Sequence, residues 1–269
     1  MPRPTSPAGA ASAVPRGAAS GVLVGTPRGD ARVWLDAPVG RPSALLVLGH
    51  GAGGGIGAPD LLAVAAAAAA AGLMVARVEQ PYLVAGRRSP APAPALDEAW
   101  TAVVAALRLA HPAPPSRGKR SRRSSPDAAA ALPSPDTRAA SRRSRTGGPG
   151  VQVTAVGLPL VVGGRSSGAR VACRTAAEVG AAAVVALAFP TRPPGRPDRP
   201  DRLGELALPP VPVLVVQGDR DPFGTPPPAL GRTIVTIPGG DHSLRRVAYA
   251  RGAAAAVVDW LAALGLTSP

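Results

Sequence analysis

A serine bracketed by glycines, Gly164-Arg165-Ser166-Ser167-Gly168, stands between the apolar run 158–162 and a stretch of helical character, 167–178. That is the setting of a nucleophile elbow, a sharp strand-to-helix turn with the serine at its apex. A serine so placed takes a strained backbone conformation. Cβ atoms on its neighbours would collide with the strand or the helix, which is why glycine suits both sides. The turn lifts Oγ clear of the sheet and aims a helix N-terminus at a reacting carbonyl. Ser166 is the expected nucleophile.

Such a serine needs a base to take its proton and an acid to orient that base, and in this setting they follow in the order Ser, Asp, His. Two later strand ends supply them. The run 211–216 leads into Gln217-Gly218-Asp219-Arg220-Asp221-Pro222, and the run 233–237 into Pro238-Gly239-Gly240-Asp241-His242. His242 is the one histidine of three that follows the elbow. Asp221 is the expected acid: by the third residue after Gly218 the chain has turned far enough to reach along the sheet edge, and Pro222 fixes the backbone beyond it. Asp219 suits a turn instead. Two backbone N–H groups are needed to hold a developing oxyanion. The first is that of Ser167, and the second is expected from Ala52 in the glycine-rich loop Gly49-His50-Gly51-Ala52-Gly53-Gly54-Gly55. His50 is expected to hold that loop by hydrogen bonding, Cys173 to be a small buried thiol, and His111 to be exposed. This chemistry requires no cofactor and no metal.

The elements that must position these residues are legible in the apolar pattern. Strands are expected at 21–25 and 31–36, split by a turn over 27–30, then at 43–48, 73–78, 158–162, 182–188, 211–216 and 233–237. Helices are expected at 59–71, 96–109, 167–178 and 247–264, the second with Ala99, Val103, Ala106 and Leu107 on its buried face. Strands separated by single helices pair in parallel through right-handed crossovers. An antiparallel pair followed by such units makes a three-layer α/β sandwich with a mostly parallel central sheet. The stretch between strands 182–188 and 211–216 is short and rich in Pro and Arg, so no apolar cap domain fits there. A small carboxylic ester or thioester is therefore the expected substrate, rather than a long-chain lipid. Arg165, Arg192, Arg196 and Arg199 are expected to make the mouth of the site positive.

Composition bounds the rest. The chain has 269 residues, 46% of them apolar but only 3% aromatic, so its core must be built from Ala, Val and Leu. Gly (32) and Pro (34) make up about a quarter of it, a fraction that points to disordered pieces attached to a packed domain. We read 1–20 as a disordered tail and 21–269 as one domain, interrupted over 112–150 by a disordered basic insertion. Between Arg117 and Arg145 that insertion holds nine basic residues against two acidic ones, half of the net charge of +14. Clustered arginine attracts phosphate, yet no aromatic residue is interleaved to stack bases, and a solvated insertion is the expected state. A single cysteine excludes an internal disulfide framework and fits a reducing compartment. The longest apolar run, 61–76, falls short of the roughly 20 residues that span a bilayer. The expected protein is soluble and cytoplasmic, with no membrane partner.

Three other readings stay open at this level. Gly49-x-Gly51-x-x-Gly54 also fits a dinucleotide fingerprint, with Glu79 after the next strand as the ribose-binding acid, although two strands precede it. A non-catalytic interaction module is the second. Binding of nucleic acid or of an acidic partner through 117–145 is the third.

Taken in order, HGAGG, GGRSSGAR, QGDRDPFG and GGDHSL resemble an α/β-hydrolase family related to dienelactone hydrolase, the one that includes the testis-expressed and NSL-complex-subunit-3 type domains. The resemblance covers about 22–264, excluding the insertion. It implies the α/β-hydrolase fold, with Ser166 as nucleophile, Asp221 as acid and His242 as base. The chain departs from the family in carrying a carboxylate at Asp219, where a neutral residue is usual. It also reads Ser-Ser-Gly-Ala at the elbow, where Ser-Met-Gly-Gly is commoner.

Overall fold

The computed structural model describes residues 21–109, 157–196 and 198–268. The tail read over 1–20, the insertion read over 112–150 and His111 lie outside the described residues. The described residues form one eight-stranded sheet. Its strands are β1 (Val22–Thr26), β2 (Gly29–Asp36), β3 (Leu45–Gly49), β4 (Met74–Glu79), β5 (Leu160–Arg165), β6 (Ala183–Leu187), β7 (Val213–Gly218) and β8 (Arg232–Ile237). Their order in the sheet is β1-β2-β4-β3-β5-β6-β7-β8. β1 and β2 pair antiparallel, and β2 meets β4 antiparallel. Every other pairing is parallel. The hairpin is tighter than its turn residues imply, because the ladder runs on to Thr26 opposite Gly29 and leaves only Pro27 and Arg28 in the loop.

The helices are α1 (Pro59–Ala70), α2 (Pro81–Val84), α3 (Ala93–Leu109), α4 (Ser167–Thr175), α5 (Leu203–Leu206) and α6 (Val247–Ala263). The sheet separates two cores, because successive side chains of a strand point to opposite faces. On one face Leu45 and Val47 of β3 pack with Leu96, Trp100 and Val103 of α3 and with Val171 of α4. On the other, Leu46 and Leu48 pack with Leu61 and Val64 of α1 and with Val257 and Leu261 of α6. Buried alanines, Ala65 and Ala68 in α1 and Ala253 and Ala254 in α6, line that second core and let its helices lie close together. These are the three layers the pattern implies.

Further details differ from the sequence reading, and the strand expected at 158–162 lies at Leu160–Arg165. In α3, Ala106 is exposed, and Trp100 and Val104 take the buried positions. The large indole sets the rotation of that helix. The helix after the elbow ends at Thr175 rather than at residue 178. The short helices α2 and α5, four residues each, have no apolar period long enough to read. Among the described residues, α5 is the one helix between β6 and β7. Among the described residues no helix is long and apolar enough to cross a membrane.

Candidate active site

Of the parallel strands that end at one edge of the sheet, four lead into parts of the site. β5 runs directly into Ser166, the residue before the first turn of α4. Ser166 has φ 51° and ψ −110°, a region that non-glycine residues seldom occupy. Backbone contacts impose it: the Ser166 amide donates to the Leu187 carbonyl of β6 at 2.9 Å. A Cβ on Gly164 or Gly168 would strike the Gly49 carbonyl of β3, so only glycine lets the elbow nest against the neighbouring strand end. Strain of this kind persists where surrounding structure over-determines it, and it marks sites of function.

β7 ends at Gly218, and the turn beyond it carries Asp221, whose carboxylate is fully buried. Its Oδ1 accepts from the Phe223 amide at 2.9 Å, and its Oδ2 from Gln217 Nε2 at 2.7 Å. β8 ends at Ile237 and leads to His242. His242 Nδ1 lies 2.8 Å from Asp221 Oδ2, and Nε2 lies 3.0 Å from Ser166 Oγ. The imidazole also packs against the Phe223 ring, with centroids 4.2 Å apart. The structure thus joins Ser166, His242 and Asp221 in one chain of hydrogen bonds. It leaves Asp219 exposed and out of that chain. The loop carrying His242 is a tight turn capped by Asp241, whose Oδ1 accepts from the Ser243 hydroxyl and from the Ser243 and Leu244 amides. Those bonds hold the Asp241 carboxyl below its ordinary range.

β3 delivers the glycine-rich loop. It passes directly over Ser166, since a Cβ on Gly51 would sit 3.4 Å from Ser166 Cβ. Ala52 follows in that loop, and Tyr82 Oη donates to its carbonyl at 3.4 Å. Ser167 is the first residue of α4, so its N–H is one of the helix-end donors that have no acceptor within the helix. His50 braces the loop from beneath. Its Nδ1 donates to the Gly51 carbonyl at 2.8 Å and its Nε2 accepts from the Gln80 amide at 3.1 Å, which fixes a neutral tautomer. Burial lowers its pKa from the usual 6.5.

That shift has a consequence for stability. In the unfolded chain His50 takes up a proton near 6.5, whereas in the folded protein it resists protonation, so acid favours unfolding. His50 contributes its full stability above about pH 6.5 and loses it as pH falls through the lowered value. Melting temperature is expected to drop between pH 7.5 and 5, and His50→Gln should flatten that slope. An identical slope in the variant would contradict this assignment.

Several residues at the site escaped the sequence reading. Gln217 had a signal, the single polar residue in the otherwise apolar, fully buried β7. Phe223, Gln80 and Tyr82 carried none. Arg165 was expected at the mouth of the site, but its side chain turns inward and is only 11% exposed. Arg192 pairs with Asp201 at 3.8 Å, and both line a cleft of about 410 Å³ that Arg196 and Phe223 share. Arg196 and Arg199 border a neighbouring cleft of about 650 Å³. Glu79, the acid of the dinucleotide reading, pairs with Arg32 of β2 at 3.6 Å. Cys173 is buried, which pushes its thiol up to about 12 and leaves it unreactive.

A family model for the alpha/beta hydrolase domain matches residues 42–120 and 116–258. No curated protein matches the chain in sequence. Among solved structures, XC6422 from Xanthomonas campestris, described as an α/β serine hydrolase without a lid, is 19% identical over 93% of this chain and 98% of its own, with a TM-score of 0.59. Dienelactone hydrolase from Anabaena variabilis is 17% identical over 90% of this chain and 96% of its own (TM-score 0.57). Est1E from Butyrivibrio proteoclasticus is 14% identical over 91% and 98% respectively (TM-score 0.58). These likenesses show the shared fold, and the family match, which covers well over half of the sequence, shows that the chain belongs to the α/β-hydrolase domain family.

Proposed function

We propose that the chain is a serine hydrolase of small carboxylic esters or thioesters, with Ser166 as nucleophile, His242 as base and Asp221 as orienting acid. The observation that carries this reading is the strained Ser166, hydrogen-bonded at 3.0 Å to a histidine whose other nitrogen meets a buried carboxylate. His242 Nε2 takes the Oγ proton as Oγ attacks the substrate carbonyl carbon. The oxyanion that forms is held by the N–H groups of Ser167 and Ala52. Collapse breaks the bond to the alcohol or thiol, which leaves with the proton from His242. Water then repeats the sequence on the acyl-enzyme, delivering its proton to His242 and releasing the acid and the free serine.

That α5, four residues long, is the one helix between β6 and β7 among the described residues supports short substrates. The four segments from HGAGG to GGDHSL support a place near the dienelactone hydrolase-related branch with the testis-expressed and NSL-complex-subunit-3 type domains. The lone, buried Cys173 supports work in the reducing cytoplasm.

A series of p-nitrophenyl esters tests the reading. Turnover is expected to be best for acetate to butyrate and to fall for octanoate and beyond. With Arg192 and Arg196 at the cleft beside Phe223, a carboxylate-bearing ester should exceed its neutral isostere severalfold in kcat/KM. That advantage should fade at about 1 M salt, where screening acts within roughly 3 Å. Preference for palmitate would overturn the substrate class, and failure to hydrolyse any ester would overturn the hydrolase reading.

A further inference from the structure

Arg165 and Asp60 have no part in the chemistry above, yet they form a buried ion pair beside it. Arg165 closes β5 and immediately precedes Ser166. Its Nε donates to Asp60 Oδ2 at 2.8 Å, and its Nη2 donates to the backbone carbonyl of His242 at 2.7 Å. The remaining Nη1 faces Gly51, where a Cβ would come within 3.0 Å of it. Asp60 lies in the first turn of α1 with a fully buried side chain, and its Oδ1 accepts from the Leu61 amide at 3.0 Å. One guanidinium therefore touches three segments: the start of α1, the glycine-rich loop and the turn that carries His242.

The imidazole of His242 is held from the far side by Asp221 and Phe223. On the near side Arg165 is the side chain that grips its backbone. Resting on the hydrolase reading, we infer that the Asp60–Arg165 pair positions the base: it ties the backbone of His242 to the strand end that carries Ser166, and so sets the Nε2–Oγ distance. Asp60 orients the guanidinium. A planar fork is what the task requires, because two acceptors in different directions must be met at once. Burial raises the Asp60 pKa, and the charge and hydrogen bond of Arg165 oppose that rise.

The test compares two variants with the wild-type protein, reading kcat, KM, melting temperature and fluorophosphonate labelling rate. Arg165→Lys keeps a cation beside Asp60, and with it the fold, but a single ammonium serves the two acceptors poorly. The paired change Asp60→Leu with Arg165→Met replaces a buried ion pair by apolar groups of similar size, an exchange often neutral for stability. In both, kcat and the labelling rate are expected to fall, by about 10-fold in the first and up to about 10²-fold in the second, the cost of a misplaced catalytic group. KM should stay within about twofold, since neither residue meets substrate in this account. A kcat unchanged in Arg165→Lys, or a loss confined to KM, overturns the positioning role even if the double variant fails to fold. A wild-type protein that neither turns over esters nor takes the label overturns the hydrolase reading instead, so the two failures are distinct.

Discussion

Ser166→Ala is expected to remove ester turnover by about 10⁶-fold while leaving the melting temperature unchanged within a few degrees. The size of the effect follows from the role, because without Oγ there is no acyl-enzyme and His242 has no proton to take. The small effect on stability follows from the geometry. Ser166 Oγ makes one hydrogen bond, to His242, and the elbow is held by the Ser166 amide and the close contacts of Gly164 and Gly168, none of which needs the hydroxyl. Turnover measured beside thermal melts checks both halves. Activity within tenfold of wild type in this variant would remove Ser166 from the mechanism.

The second large effect is at Asp221. Its Oδ1 faces the fixed Phe223 amide, and its Oδ2 faces two donors, Gln217 Nε2 and His242 Nδ1. An asparagine in its place has one carbonyl oxygen to offer, and the Phe223 amide claims it. The NH2 group then points at Gln217 Nε2 and at the imidazole. His242 must present an unprotonated Nδ1 to it, which moves the ring proton to Nε2 and leaves no acceptor for the serine proton. Asp221→Asn should cost about 10⁴-fold in kcat with the fold intact. Asp219→Asn should stay within about tenfold, as expected of an exposed turn residue. The two variants assayed side by side decide the matter. If Asp219→Asn is the crippled one, the acid has been misassigned.

The architecture was legible because its signals are periodic. The continuous apolar runs read as strands at 43–48, 182–188 and 211–216 became β3, β6 and β7, each buried over at least five residues. The proximity of Ser166, Asp221 and His242 was equally accessible, since strand ends at one edge of a parallel sheet must come together. What sequence order did not reveal is how those side chains are supported. Gln217 shows itself only as a polar interruption of β7. Arg165 was read as a surface charge because nothing local announces that Asp60, 105 positions away, is buried within reach of it. Pairing between distant elements is fixed by the packing of α1 on the sheet, and a linear reading cannot supply that. The Gly-rich loop was ambiguous for a similar reason. Glycines that admit a dinucleotide phosphate also admit an elbow beneath them, and here Gly51 lies over Ser166.

The most direct test of the central claim is covalent. The purified wild-type protein is treated with a fluorophosphonate probe, digested, and the modified residue located by tandem mass spectrometry, with His242→Ala treated in parallel. A single adduct is expected, on Ser166, formed at a rate that falls by several orders of magnitude in His242→Ala. An adduct on another residue, or labelling of Ser166 at the same rate without His242, would contradict it.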